Sequence, residues 1–288
     1  MSQAVGHRTM AGTPAARRAL SQALVYTVAL VLAAIVLVPL AYVVLGGFRT
    51  TGQIAAQPVD LPHPWITRNY VEVVSSAAFW LQVASSVVIA VIATGVVVSF
   101  GALAAFPLAR YEFRGREVLY TLFTLGLLLP ISVAALPLYI LLRQLNLLET
   151  ALGVALPEAA FGLPVTIVIL RPFMRAIPAE LEEAAVIDGC SRFAFFWRIL
   201  VPLSRPALTT VSILAFVGSW NAYLLPLLVI SDPNRWTLPL GVANYSSQYT
   251  QDTARILAFT ALSMLPALAF FVFAERRIVG GLSGAVKG

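Results

Sequence analysis

Hydrophobic residues gather in six long blocks, with shorter polar segments between them. The blocks cover residues 20–45, 79–105, 118–142, 151–170, 207–230 and 255–274. Each reaches or nearly reaches the ~20 apolar residues that a helix needs to cross a bilayer. Charge is almost absent inside them, and Glu158, near the outer end of the fourth, is the one clear exception. Pro130 and Pro137 interrupt the third block, and Pro157 and Pro164 lie within the fourth. The pattern predicts an all-α membrane protein with six transmembrane helices. The first block is longer than a secretory h-region, and no clear small-residue cleavage site closes it, so it is expected to be a retained span.

One polar segment stands apart. Residues 178–206, between the fourth and fifth blocks, are acidic at one end and aromatic at the other. Pro178 has a fixed φ and no N–H, which suits the first turn of a helix. Glu180, Glu182 and Glu183 follow where the helix dipole favours negative charge. Asp188-Gly189 is expected to stop that helix, with Gly189 in the left-handed conformation. Ser191 can cap a second helix, from Arg192 to about Val201, ahead of Pro202. Phe193, Phe196 and Trp197 then share one face at i, i+3, i+4 spacing. The expected unit is a helix–turn–helix elbow between two spans. Its aromatic face either buries against a partner or packs on the chain's own spans or the lipid interface.

Composition narrows the class. Of the 288 residues, 59% are hydrophobic and 11% charged, against about half and about a quarter in soluble domains. The chain divides into an amino arm (1–19), read as disordered, a six-span transmembrane domain (20–274) and a tail (275–288). Lys and Arg are unevenly placed. The amino arm holds three, the 110–116 loop three, residues 171–205 five and the tail three, while the opposite side holds the remaining five. By the positive-inside rule the elbow and both termini face the cytoplasm of a cell-membrane protein. The net charge of +6 does not indicate nucleic acid, because no basic patch carries interleaved aromatics for stacking bases. Cys190 is the sole cysteine, and His7 and His63 lie far apart, so neither a disulfide nor a metal site is expected. Lys287 is the only lysine and is followed by Gly288. No phosphate-binding loop can form around it, and the chain is expected to be no enzyme, with no catalytic residues and no cofactor.

The elbow resembles the EAA loop of binding-protein-dependent ABC transporter permeases. Glu183-Ala184-Ala185 is followed after three residues by Gly189, and after nine more by Ile199-Leu200-Val201-Pro202. Val201 stands where Leu is usual. Arg110-Tyr111-Glu112-Phe113-Arg114-Gly115, Trp220-Asn221, Pro226-Leu227 and the closing Gly284-Ala285-Val286-Lys287-Gly288 resemble the MalG-like carbohydrate permeases, the maltose and trehalose type. The resemblance implies an importer with a second, related permease, two cytoplasmic ATPase subunits that bind ATP and Mg, and an extracytoplasmic sugar-binding protein. It also implies that Glu183, Ala184, Ala185, Asp188, Gly189, Ile199 and Pro202 couple to the ATPase subunit. Val286, Lys287 and Gly288 would reach between the ATPase subunits on a flexible tail.

Three residues are candidates for the translocation path. Trp220-Asn221 lies inside the fifth block, where a polar side chain needs a partner; it either holds the bundle by an interhelical hydrogen bond or meets sugar hydroxyls. Glu158 is read as a solvated interfacial carboxylate, with a sugar ligand as the alternative. Two further functions compete with sugar import. One is an ABC permease for another solute, such as a glycerol phosphodiester. The other is a proton-coupled secondary carrier, which the lack of a buried carboxylate or His relay opposes. An intramembrane enzyme is opposed by the absence of His, Asp and Cys from the spans.

Overall fold

A computed structural model describes residues 14–246 and 251–285, with side chains described for 22–246 and 251–270. Helix α1 (Pro14–Gly46) starts inside the expected amino arm, so the arm is shorter than its polar composition indicated. Two short helices follow, α2 (Thr51–Ala56) and α3 (Arg68–Ser75). The next, α4 (Ala77–Arg110), is long and apolar. The third hydrophobic block is not one helix. It divides into α5 (Arg116–Gly126) and α6 (Ile131–Gln144), bent by 97°. Pro130 lacks an N–H and disfavours a helical residue before it. The chain accordingly closes α5 with tight turns, the Leu127 and Leu128 N–H groups donating to the Thr124 and Leu125 carbonyls. Pro137, by contrast, is accommodated inside α6.

Helix α7 (Ala151–Ala176) overruns the fourth block and contains three prolines. Beyond it come α8 (Glu180–Ile187), α9 (Arg192–Phe195), a π-turn over Phe196–Leu200 and α10 (Val201–Leu203). The fifth block is also broken: α11 (Arg205–Trp220) stops before α12 (Leu224–Val229). Pro226 explains the position, since its ring would collide with the carbonyl of Ala222 in a continuous helix. The short α13 (Leu238–Gly241) precedes α14 (Thr253–Ala285). That last helix runs through most of the tail that was expected to be flexible.

Four helices are long and apolar enough to cross a membrane, or up to six if each bent pair counts as one span. The second bent pair joins residues 192–203 to α11 at 78°. At the centre, α4 packs along α7. Small residues allow the approach: a Cβ at Gly101 would lie 2.4 Å from Thr166, and one at Gly162 would lie 3.0 Å from Val97. Close backbone packing of this kind is how membrane helices associate without a hydrophobic drive between them. Helix α11 lies across α4 and α14, and α1 lies against α14. Ion pairs separate by end. Arg110–Glu182 and Arg171–Glu117 lie at the elbow end, whereas Arg255–Glu72 at 2.6 Å ties α14 to α3 at the other.

Candidate functional site

The elbow is built from local rules. Helix α8 begins at Glu180 rather than at Pro178, with all three glutamates in its first turn and no side-chain cap. Its end is a Schellman motif: the Gly189 N–H donates to the Val186 carbonyl at 3.0 Å and the Cys190 N–H to the Ala185 carbonyl at 2.8 Å. That closure requires a left-handed residue, and Gly189 has φ +76°. The Ser191 hydroxyl accepts from the Ala194 N–H at 3.2 Å and opens the second helix.

The aromatic face differs from expectation. Ahead of Pro202 the ladder widens, and the Val201 N–H reaches back five residues to the Phe196 carbonyl. This π-turn carries both Phe195 and Phe196 inward, where they pack with Phe106, Leu170, Met174 and Leu200. Phe196 is 1% exposed, whereas Phe193 and Trp197 remain 68% and 48% exposed. The three rings therefore divide between the chain's own core and an outward surface.

A charged clamp holds the elbow to α4. The Arg110 guanidinium donates from Nε to Glu182 at 2.8 Å and from Nη1 to the Ile177 carbonyl at 2.6 Å. It also faces the Phe195 ring, and its side chain is only 6% exposed. Arg192 stacks over Tyr111, 4.7 Å from the ring centre. Burial, and then the Glu182 carboxylate, push the Tyr111 hydroxyl up to about 12, so it stays neutral at physiological pH. Nearby, Arg171 binds the Leu108 carbonyl at 3.0 Å and the Glu117 carboxylate. These contacts were not anticipated; the charged Arg110–Arg116 stretch was their only sequence signal.

Of the seven candidate coupling residues, Glu183, Ala184, Asp188 and Gly189 are exposed around the turn. Ala185 is buried, and Ile199 and Pro202 are partly buried at the elbow's base. Ile187, at the tip, is 86% exposed. Val186, Phe193 and Trp197 are exposed on the same elbow, the last two with ring centres 6.2 Å apart.

The translocation candidates do not come together. Glu158 borders a cavity of about 320 Å3 between α4, α7 and α11, with Ser219, Ala222 and Tyr223 also in its wall. The Ser219 hydroxyl donates to one Glu158 carboxylate oxygen. Glu158 is partly buried at that wall. Trp220 is buried in a separate cluster with Phe79 and Phe259, and Asn221 donates back to the Val217 carbonyl of its own helix at 2.9 Å. Both border a different cavity, lined also by Leu238 and Met264. Val286, Lys287 and Gly288 lie outside the described residues.

Comparison with known proteins agrees with this architecture. Residues 97–278 match the family described as "Binding-protein-dependent transport system inner membrane component". The chain is 36% identical over 251 residues to a diacetylchitobiose uptake system permease protein of Streptomyces coelicolor, covering 86% of this chain and 83% of the relative. It is 37% identical over 223 residues to a trehalose transport system permease protein of Mycobacterium tuberculosis, covering 76% of this chain and 81% of the relative. Among solved structures, a bacterial ABC transporter involved in import of the acidic polysaccharide alginate superposes with a TM-score of 0.77. That likeness, at 20% identity over 90% of this chain and 97% of the other, is one of fold.

Proposed function

The chain belongs to the family of binding-protein-dependent transport system inner membrane components, and on that premise we propose that it is one of two related permeases in an ATP-driven importer of a sugar or oligosaccharide. It is a transporter subunit and not an enzyme. The relatives named for diacetylchitobiose and trehalose make a disaccharide the first solute to try. Two cytoplasmic ATPase subunits supply the energy and bind ATP and its Mg, and an extracytoplasmic binding protein delivers the solute. The chain crosses the membrane six times, with α5–α6 and α11–α12 each forming one interrupted span. Both termini and the elbow are cytoplasmic, following the Arg and Lys asymmetry.

The observation that carries this reading is the exposure of four apolar side chains on the elbow, Val186, Ile187, Phe193 and Trp197. Large apolar side chains exposed on the same elbow as Glu183 and Asp188, in a segment read as cytoplasmic, suit a protein contact. The inner side of the same elbow is wedged into α4 and α7 through Phe195, Phe196 and the Arg110 clamp. Movement of an ATPase subunit seated on these side chains would pass through Phe106 and Arg110 to α4, and then along its tight packing to α7. The test is co-purification. With Ile187→Glu and Phe193→Glu combined, the ATPase subunits are expected to be lost while the permease pair remains associated. Undiminished retention of the ATPase subunits would contradict the assignment.

A further inference from the structure

The two interruptions in the apolar blocks are covered differently. Ala222, Tyr223 and Leu224, at the α11–α12 break, border the cavity inside the chain between α4, α7 and α11. The α5–α6 break has no such cover. Leu127, Leu128, Leu129 and Pro130 are all exposed, Leu128 and Leu129 by 75% and 65%, and none of the four borders that cavity. The carbonyls of Leu127, Leu128 and Leu129 accept no backbone hydrogen bond among the described residues, and the Ile131 and Ser132 N–H groups donate none. The break falls in the middle of the 118–142 apolar block. Lipid offers no hydrogen bonds at that depth, and non-helical backbone persists there only where protein buries it or where it borders a water-filled space.

The bend is anchored on one side only. Gly126 closes α5 against α7, where an added Cβ would lie 2.9 Å from the Pro164 ring. Beyond the break, α6 is as bare as the break itself. Leu142, near its far end, is its one buried residue. Val133, Leu136 and Ile140, at i, i+3 and i+7 spacing, are all exposed and share one face. A helix from outside the chain answers both features. It would bury the stripe by side-chain packing and bring hydroxyl or amide donors to the free carbonyls, the two means by which membrane helices associate. Lipid could cover the stripe but could not complete the carbonyls. A water-filled space at this level would itself need a second protein wall, because the chain leaves this side open.

We propose that the α5–α6 break and the Val133–Leu136–Ile140 stripe are the seat of a transmembrane helix of the second permease. This rests on the importer reading above and names the surface through which that pair forms. The test uses the assembled importer in native membranes, both permeases with the ATPase subunits, carrying photoreactive benzoylphenylalanine in place of Leu129 or of Leu136. Both positions are exposed, so the replacement leaves the chain's own packing intact; should one variant fail to accumulate, the other carries the test. Irradiation should shift this chain to the combined mass of the two permeases, with the attached peptide coming from an apolar segment of the second. Adducts with lipid only, with an ATPase subunit or with another copy of this chain overturn the proposal, as does the absence of any adduct. If no second permease co-purifies with this chain at all, the importer reading fails as well. A pair that co-purifies yet crosslinks only to lipid removes the seat alone.

Discussion

Gly189 shows how much of the elbow depends on one backbone conformation. A Cβ built there meets nothing within 4 Å, so the obstacle to substitution is the φ of +76° and not crowding. A β-branched residue costs about 1–2 kcal/mol in that region, while Asn tolerates it. Gly189→Val is therefore expected to uncouple ATP hydrolysis from uptake, and Gly189→Asn to retain most coupling. Equal coupling ratios in the two variants would detach the turn from transmission. Arg110 makes the complementary prediction. Arg110→Ala leaves Glu182 without its partner and removes donors from the Ile177 and Pro178 carbonyls. The expected loss is about 2–3 kcal/mol of local stability, read as faster hydrogen exchange at amides 180–185 with the spans unaffected.

Among the elements, those written in local chemistry were legible. Ser191, Gly189 and Pro202 mark caps and stops within a few residues of themselves, and the elbow's two helices follow from them. The π-turn was not legible, because it answers to the packing of Phe195 and Phe196 against Phe106, about ninety residues earlier in the chain. Hydropathy likewise joined α5 to α6 and α11 to α12, since a window of apolar residues cannot register a bend at Pro130 or an interruption upstream of Pro226. The path residues show the same limit. Ser219, Trp220 and Asn221 are consecutive, yet successive helix positions point about 100° apart. Ser219 therefore meets Glu158, while its neighbours face another cavity. At the opposite end, α3 is tied to α14 by Glu72, whose carboxyl Arg68 and Arg255 hold below its usual value of 4.5. A lowered carboxyl favours the folded state above that value and loses its effect as pH falls through the folded-state pKa. Amides of α3 should thus lose protection as pH drops below about 4.5, and Glu72→Gln should flatten that dependence. Identical pH profiles for the two proteins would show that the tie contributes nothing.

At the scale of the molecule, the six apolar blocks predict six crossings and the separation of Lys and Arg their orientation. Reporter fusions after Ala56, Arg114, Asn146, Ser191, Asn244 and Lys287 should alternate sides, with Ser191 cytoplasmic. A fusion at Ser191 found outside would sink both the topology and the elbow's role. The central claim is that the elbow tip is covered by an ATPase subunit. Cys190 is a poor reporter of that cover, because it packs against the cluster around Ala185. Ile187 is 86% exposed at the tip and suits the purpose. In a Cys190→Ser background, Ile187→Cys should react quickly with a membrane-impermeant maleimide in inside-out vesicles carrying only the permease pair, since thiol reactivity follows exposure. The account predicts that adding the ATPase subunits slows this labelling and that bound nucleotide changes the rate again. Equal rates with and without the ATPase subunits would contradict it.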